Sequence, residues 1–339
     1  MIDFLTAISL AQSGQDLSAE QTGHLIDQML DGQADADLVG RLLLAIRDKG
    51  EAVDELVGAA TSLRRHMTPI RHRHAVLLDT CGTGGSGSGT FNISTTAAIV
   101  AAACGVPVAK HGNRKATSLS GSADVLAELG VSIESDVERI ERTLDHVGLC
   151  FCFAPKLHPA MRHVVAVRRA LGVPTLFNLL GPLCNPAGAT HQLLGTAKPD
   201  AQEKIAAALQ RLGTVHSLVV RGTDGQDEVT LDGATEVIEI TGSRRQTHRW
   251  TPEDFGLSPV TAGQLQARDP RESAGIIRRI LDGQPGPPRD VVVAGTAASL
   301  WLVGNAATLA EAVAQAIDAL DSGAAKLKLE ALVEAGREA

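Results

Sequence analysis

Between Asp79 and Thr95 the chain reads Asp-Thr-Cys-Gly-Thr-Gly-Gly-Ser-Gly-Ser-Gly-Thr-Phe-Asn-Ile-Ser-Thr, with five glycines in the eight residues from Gly82 to Gly89 and hydroxyl side chains between them. Glycine lets the backbone take positive φ, so successive N–H groups can turn toward one point. A helix beginning just after such a loop adds its amino-terminal partial charge. Ser86, Ser88, Thr90, Ser94 and Thr95 supply further donors or metal-facing oxygens. This set suits the cradling of a phosphate or pyrophosphate. No Gly-Lys-Ser/Thr follows, so it is not a Walker loop, and the glycine spacing does not fit the dinucleotide fingerprint. The competing reading is a flexible surface loop.

Three further segments could act beside it. Lys110-His-Gly-Asn-Arg-Lys115 follows an apolar run, Val106 to Ala109, that reads as a strand. Ligands gather at strand carboxyl ends in open α/β sheets, so both loops would open on one edge. Lys110, Arg114 and Lys115 offer positive charge, and Asn113 offers an amide. Asp227-Glu228 lies in a turn after the apolar run Leu218–Arg221. Alone, an acidic turn is usually solvated; beside a phosphate loop, the pair suits Mg2+, which bridges carboxylates and phosphates. Finally, His158-Pro-Ala-Met leads into an amphipathic segment with Arg162, His163, Arg168 and Arg169 opposite Val164, Val167 and Leu171. Those arginines serve equally as partners of surface acids or as a bidentate clamp on a carboxylate. Phe177 to Leu183 reads as a buried turn ending in Gly181-Pro182.

The elements that would position these residues differ along the chain. Up to about residue 70 the apolar spacing is helical: Leu25, Ile26, Met29 and Leu30 after a Ser18/Gln21 capping box, then Val39, Leu42, Leu43 and Ile46, then Val53, Leu56, Val57, Ala60 and Leu63. A basic stretch, Arg64 to His74, reads as a solvated linker. Beyond it, strands are expected at 75–79, 106–109, 218–221 and 291–294, separated by helical segments that include 97–103 and 124–129. That alternation predicts the α/β class, with a small all-helical N-terminal domain at 1–70, completed by a helix around 159–171. A large α/β domain at 75–339 would hold a central, mostly parallel sheet flanked by helices.

Composition excludes several functions. Of 339 residues only six are Phe, two Trp and none Tyr, which leaves no stacking platform for nucleic-acid bases. The formal net charge of −8 disfavours a polyanion partner, so no nucleic acid is expected. No apolar run reaches the 18 residues of a membrane span, and no secretory signature is seen. Cys81, Cys104, Cys150, Cys152 and Cys184 contain no CxxC pair and read as small buried hydrophobes in a reducing compartment. The expectation is a cytoplasmic protein without a membrane partner.

The segments GTGG…TFNIST, VAKHGNR, GSADVL, HPAM, FNLLGP with NPAG, QLLG and DGxDE, in that order, resemble the anthranilate phosphoribosyltransferase family. The likeness covers nearly the whole chain, and the ordered set is far more specific than any one motif. It implies a homodimer in the fold shared with class II nucleoside phosphorylases. The implied reaction is Mg2+-dependent transfer of the 5-phosphoribosyl group from phosphoribosyl pyrophosphate (PRPP) to the amine of anthranilate, in tryptophan biosynthesis. Carried over by position, Gly82, Gly85, Ser86, Thr90, Asn92, Ile93, Ser94, Thr95, Lys110, His111, Gly112, Asn113, Arg114, Lys115, Ala116, Thr117, Ser118 and Ser122 would contact PRPP. Gly82, Asn113, His158, Arg168 and Pro182 would face anthranilate. Ser94, Asp227 and Glu228 would hold two magnesium ions per subunit. No residue is implied as an obligatory acid or base.

Two positions depart from the family pattern: Ser86 stands where Asp is usual, and Lys115 where a small residue is usual. Both bear on metal and PRPP use. The nearest rival enzyme is a pyrimidine nucleoside phosphorylase, which the KHGNR and HPAM segments oppose. A non-catalytic nucleic-acid-binding relative is opposed by the charge and the Asp227-Glu228 pair.

Overall fold

The computed structural model describes residues 2–84, 87–114 and 119–337. Its centre is a sheet of seven strands: β1 (Leu78–Gly82), β2 (Val108–Gly112), β3 (Leu149–Phe153), β4 (His191–Gly195), β5 (His216–Gly222), β6 (Thr235–Thr241) and β7 (Arg244–Trp250). Their spatial order is β3-β2-β1-β4-β5-β6-β7. β1 to β5 are parallel, and β6 and β7 add an antiparallel edge. The class is therefore the one expected: a helical N-terminal domain beside a larger α/β domain with a mostly parallel sheet.

The chain opens with α1 (Phe4–Gln12), α2 (Ala19–Leu30), α3 (Ala36–Lys49) and α4 (Val53–His66). Ser18 caps α2 as its spacing predicts: its Oγ accepts from Gln21 N at 3.2 Å, and Gln21 Oε1 accepts from Ser18 N at 2.9 Å. The apolar faces of α1 to α4 meet in one cluster that also holds Val164 of the helix Arg162–Leu171. The same cluster runs on to Leu194, Val219, Ile238 and Ile240, so the bundle rests on one face of the sheet. The opposite face is covered by α5 (Ile93–Ala103) and by the helices Pro270–Leu281, Pro287–Leu302, Leu309–Asp321 and Ala324–Ala335.

Several sequence expectations need correction. Val291–Ala294 is not a strand; it is the middle of the helix Pro287–Leu302. That helix is buried on nearly all sides, which erases the polar face that distinguishes a helix from a buried strand by periodicity. The first strand begins at Leu78, not Ala75, and continues to Gly82, because Thr80, Cys81 and Gly82 pair with Leu193, Leu194 and Gly195. The second begins at Val108, since Val106 N donates back to Ala101 O and closes α5. Lys110, His111 and Gly112 are thereby strand residues rather than loop residues. The basic stretch Arg64 to His74 meets acids of neighbouring helices: Arg65 pairs with Asp27, and Arg73 and His74 with Asp145.

One buried charge ties the bundle together. The Glu55 carboxylate is fully buried and accepts from Leu17 N at 3.1 Å, Ala52 N at 2.8 Å and Lys49 Nζ at 3.1 Å. Glu55→Ala leaves two backbone donors and a buried ammonium without this partner, and should cost about 3–5 kcal/mol in urea unfolding. A loss below about 1 kcal/mol would show that the carboxylate is not structural.

Candidate active site

In a parallel sheet, ligands bind beyond the strand carboxyl ends where successive connections turn in opposite directions. Here the chain steps from β1 outward to β2 and β3, then returns to place β4 on the other side of β1. The crevice therefore lies between the ends of β1 and β4, where Gly82 pairs with Gly195. Gly195 faces backbone and must be glycine, whereas a side chain at Gly82 would displace the Asp227 carboxylate. A Cβ at Gly195 would stand 1.8 Å from Asp227 O, and one at Gly82 would stand 2.8 Å from Asp227 Oδ2. Two missing side chains thus admit the acidic turn that follows β5.

That turn meets the glycine loop and the start of α5 directly. Asp227 Oδ2 accepts from Gly84 N at 3.2 Å, and Glu228 Oε1 accepts from Ser94 N at 3.2 Å. Both acids reach one crevice, as their non-strand placement allows. Thr80 Oγ1 donates to Ser94 O at 2.9 Å, tying β1 to the helix start. Burial, and next the charge of Asp227, push the Glu228 carboxyl up to about 8, while Lys110 opposes the rise. Among the described residues, no group of three or more His, Cys, Asp or Glu forms a ready-made metal cage. A cation here would draw oxygens from a bound ligand as well as from the acid pair and Ser94.

The other residues expected to contact PRPP divide by placement. Ile93 and Thr95 are buried in the first turns of α5. Asn92 is held by neighbours: Ser120 Oγ and Ser273 Oγ donate to its Oδ1 at 2.7 and 2.9 Å. Thr90 forms an isolated bridge with Gln266. Lys110 is buried and donates to Thr80 O at 2.5 Å. Its charge faces Asp79, whose carboxyl burial raises and Lys110 lowers; burial also lowers Lys110 itself. Lys110 therefore acts on the crevice from within the sheet. Gly112 lies against Ser122, whose Oγ a Cβ would meet at 2.1 Å. Arg114 Nη1 and Nη2 lie 3.5 and 3.4 Å from Asp124 and Glu134. Gly85, Ser86, Lys115, Ala116, Thr117 and Ser118 lie outside the described residues.

A second cluster forms beside β2. His111 Nδ1 donates to Gly181 O at 3.1 Å, because a carbonyl can only accept. Its Nε2 is then the acceptor for His158 Nε2–H at 3.2 Å. Burial foremost, with Lys110 nearby, lowers His111 to about 4; burial and then His111 lower His158 to about 3. Both imidazoles are neutral at physiological pH. Pro182 is buried in the turn that His111 touches. The Arg168 guanidinium stacks 5.3 Å from the Phe177 ring centroid, and burial lowers its pKa from the ordinary value. Asn113 is exposed, and its carbonyl accepts from Ala123 N at 3.1 Å. Sequence reasoning passed over Asp79, Ser120, Asn185, Gln192 and Ser273. Asn185 lies in the NPAG segment and Gln192 in QLLG, whereas Ser273 lies in no motif.

Residues 74–326 match the α/β domain of the glycosyl transferase family, and residues 6–67 match its helical bundle domain. Fold and site thus define a two-part glycosyl transferase. An anthranilate phosphoribosyltransferase of Rhodopirellula baltica is 64% identical over 333 residues, covering 98% of this chain and 97% of that protein. The solved anthranilate phosphoribosyltransferase of Thermus thermophilus superposes with a TM-score of 0.92 at 41% identity, covering 98% of this chain and 99% of that one. The Saccharomyces cerevisiae enzyme in complex with PRPP and Mg gives 0.91 at 28% identity, covering 98% and 97%. The same yeast enzyme with 4-fluoroanthranilate gives 0.88 at 26%, covering 98% of each chain. This chain belongs to the anthranilate phosphoribosyltransferase family.

The histidine pair yields a pH prediction. Unfolded imidazoles protonate near pH 6.5, whereas folded His111 and His158 do so near 4 and 3. Between these values the unfolded state binds more protons, so stability falls as pH drops below about 6.5. Each imidazole should account for about 2 kcal/mol lost between pH 7 and pH 5. In urea unfolding, His158→Asn should shrink the pH 7-to-5 loss by about that amount; an unchanged loss would contradict the neutral buried pair.

Proposed function

We propose that this protein transfers the 5-phosphoribosyl group from PRPP to the amine of anthranilate, releasing pyrophosphate, as a step of tryptophan biosynthesis. The observation that carries this reading is the placement of Asp227 and Glu228 against the glycine-loop and helix-start N–H groups at the β1/β4 crevice. Those N–H groups and the helix amino terminus favour phosphate oxygens, while two adjacent acids would repel them. The two preferences agree once a divalent cation lies between.

The donors present fit magnesium, since Asp227, Glu228 and Ser94 offer hard oxygens. A magnesium ion held there would supply positive charge to offset that of the leaving pyrophosphate. We assign two ions per subunit, one to Ser94 and Glu228 and the other to Asp227 and Glu228. The chain's own part is orientation. Gly82, Thr90, Asn92, Ile93, Ser94, Thr95 and Ser122 would hold PRPP with its pyrophosphate at the start of α5. Lys110 would add charge from within the sheet, and Gly112, Asn113 and Arg114 would close the same edge.

Anthranilate would lie on the His111–His158 side, its carboxylate on Arg168 and its ring on Pro182 and the Gly82 backbone. With so few aromatics in the chain, backbone, proline and aliphatic contacts must hold the ring. The neutral amine is already nucleophilic, so alignment with the ribose carbon and stabilisation of the departing pyrophosphate carry the rate. The form proposed on family likeness is a cytoplasmic homodimer. No helix among the described residues is long and apolar enough to cross a membrane.

Mixing the protein with anthranilate, PRPP and Mg2+ should remove anthranilate fluorescence, and EDTA should stop the loss. Arg168→Ala should raise the KM for anthranilate by about tenfold or more, the equivalent of roughly 1.4 kcal/mol, and leave that for PRPP nearly unchanged. No fluorescence loss at micromolar enzyme would refute the activity. Separately, Gly195→Ala must push the Asp227 backbone away, and should lower kcat/KM for PRPP by about a hundredfold. An unchanged value would show that the acidic turn does not serve PRPP.

A further inference from the structure

The turn Gly181–Leu183 offers three consecutive carbonyls, and each is held by a side chain from a different element. His111 Nδ1 of β2 donates to Gly181 O at 3.1 Å. Gln192 Nε2 of β4 donates to Pro182 O at 2.7 Å. Arg64 Nε, from the last turn of α4, donates to Leu183 O at 2.8 Å. Gln192 is buried on a central strand. Its side chain could have been aliphatic at no cost to the sheet, because backbone groups alone form the ladder.

A short turn of this kind needs no such fixation to exist. The backbone already closes it, with Cys184 N donating to Gly181 O at 3.2 Å. What three side-chain donors add is a fixed position relative to three separate bodies: the β2 histidine pair, the β4 strand at the crevice, and the helical bundle. We infer that Gln192 and Arg64 are positioning residues for the acceptor, acting through the Gly181–Leu183 turn. Gln192 sets the height of the Pro182 floor relative to the crevice, and Arg64 ties that floor to the bundle. His111 joins the same device, since its bond to Gly181 O fixes the tautomer that His158 meets. The inference rests on the acceptor site proposed above.

Steady-state kinetics on the full-length protein test it, with wild-type turnover of anthranilate and PRPP measured alongside. Gln192→Met keeps the volume and removes the donor. It should lower kcat/KM for anthranilate by roughly tenfold to a hundredfold, while the KM for PRPP stays within about twofold, a change of only ~0.4 kcal/mol. Gln192→Glu adds a readout that lost packing would not give. Its ionised carboxylate repels Pro182 O, whereas its protonated form donates, so its kcat/KM for anthranilate should rise relative to wild type as the pH falls. Arg64→Met acts on the same turn from α4 and should show the same split between substrates; it carries the test if Gln192→Met does not fold. An unchanged kcat/KM for anthranilate, or equal losses for both substrates, would overturn the positioning role while wild-type activity left the reaction standing. An inactive wild type would remove the reaction and this inference together.

Discussion

Two adjacent carboxylates held at the mouth of a parallel sheet are the constraint on which the rest of the site depends. Burial, and next the charge of Asp227, raise the cost of ionising Glu228. Lys110, whose charge opposes that rise, lies within the sheet and is shared with Asp79. Backbone N–H groups of Gly84 and Ser94 satisfy one oxygen of each acid but bring no full charge. In the proposed reaction, such a pair would receive a cation that arrives with an anion. The glycines at 82 and 195, the strand order and the start of α5 are the conditions that let the acidic turn come so close.

How much of this was legible in the sequence depends on how local the cause is. Glycines among hydroxyls, an acid pair in a turn and a Ser18/Gln21 cap announce themselves within a few residues, and the helical spacing of α2 to α4 does the same. Causes that lie in pairing partners do not. β1 runs through Thr80 to Gly82 because β4 offers backbone partners there, although Gly82 by type disfavours a strand. Val291–Ala294 reads as a strand because its helix is buried all round. The β6–β7 hairpin was missed because β7, Arg244 to Trp250, is mostly polar and exposed, as an edge strand can be.

Lys110 shows the same limit inside the site. By spacing it belongs to a basic loop aimed at phosphate. By register it lies in β2 with its ammonium against Thr80 O and Asp79, where its charge acts through the protein rather than by open contact. His111 likewise turns toward Gly181 and His158, which joins the KHGNR segment to the proposed acceptor side as well as to the proposed phosphate side. One short strand thus connects the two halves of the proposed reaction. The alternation of strand side chains, invisible until register is known, makes that connection.

The most direct test of this account is a crystal structure with PRPP and Mn2+ in place of magnesium, read by anomalous scattering. Manganese should be bound by Glu228, with Asp227 or Ser94 as a further ligand, and the pyrophosphate should be seated on the N–H groups at the start of α5. Manganese and PRPP bound elsewhere, or PRPP in the crevice with the Asp227-Glu228 pair turned away from it, would contradict it.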